Sequence, residues 1–332
     1  MIRIALFGAG RIGQLHAKHA AEHPGITLAY VVDPVEDNAT AVAASTGAAV
    51  AEAEQVFADP SIDGVLIASS TDTHVDLVQR AASAEKAVFC EKPLSLDYVK
   101  AEACVQVLNR HKSRCMLGFH RRYDPSFKAV RDRIRSGEAG RVYQIVIFSR
   151  SGAIPPIEYI KVSGGLFRDS SIHDLDMVRY LIGEEIATVY AVGGCLADKA
   201  IGAAGDIDTA MITLVSRSGI LAQINNARDN PLGYDQRLEV HASDALMRVE
   251  NVPQNSTVIG RSSGLTSARP LDSFLERYAA AYRAEMDAFA AMIANGTAPL
   301  ADHNDGLEAQ RLAEAAIRSF REGRPVAPSE IP

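Results

Sequence analysis

Apolar positions along the first 121 residues alternate between two rhythms. Continuous apolar runs at Ile2–Phe7, Thr27–Val32, Gly64–Ser69, Ala87–Cys90 and Cys115–Phe119 predict buried strands. Stretches of helical period such as Val75–Ala84 and Asp97–His111 lie between them. This alternation predicts a parallel sheet with helices on both faces. Past Arg122 the pattern changes. One helical segment, Pro125–Ser136, precedes longer strand candidates at Val142–Ser149, Thr188–Cys195, Asp208–Val215, Ile220–Asn225, Gln236–His241 and Ala245–Glu250. Ser-Gly at 218–219 and Ser-Asp at 243–244 suit hairpin turns. The prediction is one large open, mostly antiparallel sheet with helices on one face. The tail is helical. Asp272 or Ser273 can cap a helix reaching Asn295-Gly296, and Asn304 or Asp305 another that ends at Gly323, before Pro325. The fold class is α/β, with a Rossmann-type domain over 1–121 and an α/β domain over 122–332.

The segment Gly164–Gly183 carries two stripes on one predicted helix. Ile172, Leu175, Val178 and Ile182 form the apolar face, while Asp169, His173, Asp176 and Tyr180 repeat at the same spacing on another. Side chains four apart lie one above the other. Asp169 can therefore hold the His173 imidazole in one tautomer and support its positive form, which makes a histidine a better base. A surface ion pair is the alternative reading. Asp169, His173 and Asp176 could also supply three ligands to a metal, but zinc prefers more nitrogen or sulfur and no HExxH pair is present, so no metal is expected. Asp176 reads as a helix-surface or interdomain residue.

A second motif lies near the start. Gly8-Ala9-Gly10-Arg11-Ile12-Gly13 follows an apolar strand and opens a helical run, the context in which glycines let a pyrophosphate approach backbone N–H groups at a helix start. Asp33 ends the next strand, twenty residues after Gly13, where an acid binds the adenosine ribose hydroxyls. Its carboxylate would repel a 2′-phosphate, and Pro34-Val35-Glu36-Asp37 adds negative charge, so NAD is favoured over NADP. Arg11 stands alone as a potential phosphate ligand. Glu91-Lys92-Pro93 ends the fourth predicted strand. Ligands of open α/β sheets bind at strand carboxyl ends, so the Lys92 cation could stabilise a developing alkoxide or relay a proton.

Composition narrows the options. At 332 residues, about two domains are expected, and 47% hydrophobic residues suffice for real cores. With Lys+Arg 34 against Asp+Glu 41 the net charge is −7, which argues against a nucleic-acid partner. The four cysteines form no CxxC pair and read as reduced, buried thiols. The chain opens directly on a strand, without the pattern of a secretory leader, and no apolar run approaches the ~20 residues that span a bilayer. A cytoplasmic protein with no membrane partner is expected.

Taken together, FGAGRIG, SSTDTH (69–74), FCEKPLSLD (89–97), GFHRRYDPSF (118–127), PPIEYIKVSGGLFRDSSIHDLDMVRYLIGEE (155–185), AGDIDTAMITL (204–214), INNARDNPLGYDQRLEVHAS (224–243) and FLERYAAAYRAEMDAF (274–289) resemble the Gfo/Idh/MocA family of glucose–fructose oxidoreductase and inositol dehydrogenase. The resemblance spans nearly the whole chain. It implies NAD as cofactor, a polyol substrate, a homotetramer, and oxidation of myo-inositol to the 2-keto inosose. It implies His173 as base, Asp169 as its orienting partner and Lys92 as the electrostatic and proton-relay group. It also places Ser69, Thr71, His74, Glu91 and Pro93 along the cofactor, and Arg122 and Tyr234 near the polyol. Three positions near the implied pocket depart from the family pattern: Ser151 for an acid, Ser170-Ser171 for bulkier residues, and Arg228-Asp229 for two arginines. They leave open another inositol isomer, an aldose or a sugar derivative as substrate. An inactive NAD-binding sensor is the alternative from another class.

Overall fold

The structure, a computed structural model, describes residues 1–332. The chain clusters into two compact units. Met1–Tyr123 and Ala281–Glu308 make up the first, and Asp124–Ala280 and Ala309–Pro332 the second.

The first unit runs β1 (Ile2–Phe7), α1 (Arg11–Glu22), β2 (Ile26–Val32), α2 (Glu36–Thr46), β3 (Ala49–Val50), α3 (Ala53–Ala58), β4 (Gly64–Ile67), α4 (Thr71–Ser83), β5 (Ala87–Cys90), α5 (Tyr98–His111) and β6 (Cys115–Leu117). The strands form one parallel sheet in the order β3-β2-β1-β4-β5-β6. Strands β4 and β5 are buried throughout, as a parallel sheet covered on both faces requires. The order reverses between β1 and β4, which is where such sheets bind ligands. The strands expected at Gly64–Ser69 and Cys115–Phe119 end two residues early. Helix α4 begins at Thr71, ahead of the expected Val75, because Thr71–His74 already form its first turn.

The second unit contains α6 (Pro125–Arg135), β7 (Val142–Arg150), α7 (Ile157–Val162), α8 (Ile172–Ile182), β8 (Ile186–Gly194), α9 (Lys199–Ala203), β9 (Thr209–Ser216), β10 (Leu221–Ala227), β11 (Asp235–Ala242), β12 (Leu246–Val249), a small hairpin of β13 (Val258–Arg261) and β14 (Gly264–Ser267), and α10 (Phe274–Arg277). Its main sheet has the order β12-β11-β7-β10-β9-β8. Every pair is antiparallel except β7 with β10. Inward residues such as Ile145, Ile147, Val189, Ile212, Leu214, Ile224 and Val240 are buried, and their neighbours Tyr143, Tyr190, Val192, Met211 and Leu221 face out. That alternation marks a sheet with one packed face. Asp124 caps α6 by accepting from the backbone N–H groups of Ser126 and Phe127, with Pro125 at the first helical turn.

The last two helices are α11 (Ala279–Asn295) and α12 (His303–Glu322). The sequence reading places all of 122–332 in one domain, whereas Ala281–Glu308 returns to the first unit. The cause is an apolar stripe. Tyr282, Met286 and Phe289 are buried there, and the Phe289 ring packs against Phe89 of β5 at 5.7 Å. The backbone follows, with Leu117 N–H donating to the Ala301 carbonyl at 3.1 Å. No helix is long and apolar enough to cross a membrane.

Candidate active site

The first unit gathers its predicted ligand residues along the carboxyl edge of the sheet. Gly8 follows β1 with φ +95°, and a Cβ there would stand 2.4 Å from the Ser69 nitrogen. At Gly13 a Cβ would stand 1.9 Å from the Gly8 carbonyl oxygen, so these two glycines are required by the protein's own packing. Gly10 differs: a Cβ at that position meets nothing within 4 Å. The cradle at the start of α1 therefore has room for a group that approaches the backbone closely, which fits a dinucleotide pyrophosphate. Arg11 is exposed and Ile12 half-buried beside it.

Asp33 ends β2 as expected and also braces the loop. Its Oδ2 accepts from Ala9 N–H at 2.6 Å and its Oδ1 from Val35 N–H at 2.9 Å. Ser69 and Thr71 flank the start of α4, where Ser69 Oγ lies 2.7 Å from Thr73 Oγ1. His74 is buried, with Nδ1 2.9 Å from the Pro93 carbonyl and Nε2 3.1 Å from the Ser69 carbonyl. Burial holds its pKa below the ordinary histidine value, so a single ring N–H donates to one of the two carbonyls. His74 thus ties the loop after β4 to the Glu91-Lys92-Pro93 corner after β5. The Lys92–Pro93 peptide is cis. Arg122 is 4% exposed and anchors the chain near residue 300. Its guanidinium donates to the Leu300 carbonyl and lies 2.9 Å from Asp305 Oδ2.

In the second unit, the helix expected across Gly164–Gly183 is divided. α7 ends at Val162, Gly164 and Gly165 both take φ +86°, a π-helical turn spans Phe167–Ser171, and α8 starts at Ile172. π-turns of this kind recur at functional sites. Asp169 lies in the π-turn and His173 in the first turn of α8, where it is buried. Asp176, read from the sequence as a helix-surface or interdomain residue, is buried too, because α8 is enclosed nearly all round.

The Asp169 carboxylate belongs to a network that local periodicity does not reveal. Oδ1 accepts from the Tyr159 hydroxyl at 2.8 Å, and Oδ2 lies 3.2 Å from Arg228 Nη1. Arg228 is 1% exposed and reaches Asp206 Oδ2 with Nη2 at 3.0 Å. Asp206 Oδ1 in turn accepts from Leu166 N–H at 2.9 Å, just past the glycine pair. A second set holds the other side of the π-turn. Ser171 Oγ donates to Asn226 Oδ1 at 2.6 Å, and Asn226 Nδ2 donates to Asp174 Oδ2 at 2.8 Å. Tyr159, Asp206, Arg228 and Asn226 were each inside a quoted motif, but nothing in their spacing shows that they converge. Ser151 and Ser170 are half-buried, and Ser151 N–H donates to the Ala227 carbonyl at 2.9 Å. The Tyr234 ring packs edge-on against Tyr278 at 6.2 Å.

A glycine cradle at the switch point of a β3-β2-β1-β4-β5-β6 sheet, with an acid at the end of β2, defines a dinucleotide-binding Rossmann fold. Comparison with known proteins makes the class specific. Residues 2–119 match the model of the oxidoreductase family's NAD-binding Rossmann fold, and residues 131–327 that of its C-terminal alpha/beta domain. The chain belongs to the Gfo/Idh/MocA oxidoreductase family. It is 44% identical to an inositol 2-dehydrogenase of Rhizobium meliloti over 98% of each chain. A crystal structure of a myo-inositol dehydrogenase from Corynebacterium glutamicum superposes with a TM-score of 0.94 at 41% identity, covering 98% of both chains. A scyllo-inositol dehydrogenase from Lactobacillus casei, solved with bound NAD(H) and scyllo-inositol, gives 0.91 at 28% identity over 99% of both.

Proposed function

We propose that this protein oxidises myo-inositol to the 2-keto inosose with NAD. The observation that carries the reading is the pairing of an open pyrophosphate cradle at Gly10 with full-length likeness to inositol dehydrogenases. NAD, when bound, accepts the hydride from the carbinol carbon. The protein's residues handle the proton and the charge. His173 takes the hydroxyl proton as the hydride leaves, Asp169 stabilises the resulting imidazolium, and the Lys92 ammonium donates to the oxygen while it carries negative charge. Asp33 binds the adenosine ribose and disfavours a 2′-phosphate. Ser69, Thr71, His74, Glu91 and Pro93 line the cofactor. Ser151, Ser170 and Tyr234 shape the polyol side, and Arg122 supports it through its hold on the 300 region.

Further parts of the reading concern assembly and location. The outer face of the second unit's sheet exposes Tyr143, Tyr190, Val192, Met211, Leu221 and Leu246, an apolar patch suited to a second copy and consistent with a homotetramer. Sedimentation at four times the 35.6 kDa chain mass tests this. All four cysteines are free thiols, which suits the reducing cytoplasm. The decisive assay is NADH formation with myo-, scyllo- and chiro-inositol, glucose and xylose. Preference for myo-inositol supports the assignment. Preference for another polyol keeps the chemistry and moves specificity to Ser151, Ser170 and Asp229. Tight NAD binding with no turnover on any of them returns the sensor reading.

A further inference from the structure

Behind the Glu91-Lys92-Pro93 corner lies a cluster of buried polar groups that the mechanism above does not use. Helix α11 presents Tyr282, Glu285 and Phe289 as one stripe, three and four residues apart. Ring contacts locate its two ends. Tyr282 meets His16 edge-on at 5.8 Å and stacks on His120 at 4.7 Å, while Phe289 meets Phe89 edge-on at 5.7 Å. His16 and Phe89 themselves touch edge-on at 5.0 Å. Glu285 lies between these two residues on the buried face of the helix, near enough to the Glu91 carboxylate of the Glu91–His16 pair to feel its charge. In that pair Glu91 Oε1 lies 2.7 Å from His16 Nε2, and the His16 side chain is fully buried. Glu91 Oε2 accepts from Lys92 N–H at 3.3 Å, and a Cβ on Gly118 would stand 2.8 Å from that oxygen, so Gly118 leaves room for the carboxylate.

Glu285 is 0% exposed, and neither of its carboxyl oxygens has a hydrogen-bond partner. A buried carboxylate in that condition is rare and costly. Of the titratable groups near it, His16 of α1 and His120 of the turn after β6 meet Tyr282 one turn away on the same helix, and Glu91 at the end of β5 acts on Glu285 through its charge. Arg122 is engaged with Asp305, and Asp287 with His23 at 3.3 Å. Burial, and secondarily the charge on Glu91, push the Glu285 carboxyl well above the ordinary carboxylate range.

We propose that Glu285 is a positioning residue for the Lys92 corner: as an uncharged carboxyl it leaves Glu91 the single anion behind that corner, and its ionisation displaces the Glu91–His16 pair and the lysine that follows it. The proposal rests on the reading of Lys92 as the cation at the reacting oxygen. The sign of the linkage is definite. A carboxyl that holds its proton longer when folded stabilises fully below the ordinary carboxylate range. It loses that contribution as pH rises, because the unfolded chain releases the proton first.

The test compares the full-length enzyme with Glu285→Gln, which keeps the shape and has no proton to release. The first readout is the urea unfolding midpoint from pH 5 to 9. The native midpoint should fall relative to the variant as pH rises. Parallel curves would overturn the protonated assignment. The second is kcat against pH with NAD and myo-inositol. The variant should match the native enzyme within about twofold at pH 7 and keep its rate at alkaline pH, where the native rate falls about tenfold per pH unit once Glu285 ionises. A variant with the native alkaline loss, or one about tenfold slower at every pH with NAD affinity intact, overturns the positioning role. Glu285→Met, apolar and of similar volume, gives the same two readings if the glutamine variant folds poorly. Turnover that survives Lys92→Ala refutes the reading of Lys92 alone, since the unfolding comparison does not depend on catalysis.

Discussion

Arg228 offers the most direct probe of the second unit's site. It is 1% exposed, and its guanidinium holds apart two carboxylates, Asp169 and Asp206, which are themselves only 13% and 10% exposed. Replacing it with methionine fills most of the volume but leaves two buried acids facing each other without a counter-charge. Removing one partner of a buried pair typically costs about 3–5 kcal/mol, and that is the loss expected for Arg228→Met in urea unfolding. Asp206→Asn should cost less. Asp206 accepts from Leu166 N–H with one oxygen and from Arg228 with the other, whereas an asparagine has a single oxygen and can serve one of them. One lost bond to a buried donor corresponds to about 1–3 kcal/mol. Because the two side chains touch, the double variant should be less destabilised than the two single losses combined, by about 0.5–3 kcal/mol, since it carries one buried anion fewer than Arg228→Met alone. An Arg228→Met protein within about 1 kcal/mol of the native one, or strict additivity in the double variant, would show that the network does not hold the π-turn and would refute the reasoning.

Further outcomes follow from the same geometry. Gly10→Ala should unfold at the native midpoint yet bind NAD at least about tenfold more weakly, because its methyl meets only the ligand, and Gly13→Ala should destabilise the free protein; isothermal titration and urea melts separate the two. Lys92→Ala and His173→Ala should each lower kcat by about 10²–10⁴-fold while NAD affinity, read by fluorescence quenching, is kept; near-native turnover in either removes that residue from the mechanism. Asp33→Ser should shift preference from NAD toward NADP and also weaken NAD, since it removes the acceptor for Ala9 N–H; an unchanged NAD/NADP ratio of kcat/KM would show that Asp33 does not read the ribose. His74 is held neutral by burial, so the unfolded chain takes up its proton first. Stability should therefore fall as pH drops below about 6.5 and level off once folded His74 is protonated, and His74→Asn should show a shallower decline.

Much of this protein was legible along the chain. Short apolar runs alternating with helical periods were enough to predict the parallel sheet, because strands buried on both faces leave no polar alternation. The glycine loop and Asp33, twenty residues apart, were readable because a strand–turn–helix places them in one local unit. The apolar stripe of α8 was equally plain, being set by residues three and four apart. Tertiary structure decided what spacing cannot encode. Asp169 and Arg228 are 59 residues apart in sequence, and Asp206 joins them from a third segment, so their convergence depends on how β9, β10 and the π-turn pack. The π-turn itself arises where the glycine pair meets that network, not from any helical period. The return of Ala281–Glu308 to the first unit, which brings Glu285 behind Glu91, was likewise invisible. An amphipathic helix records in its sequence that one face must be buried, but the surface that buries it is chosen by the folded chain.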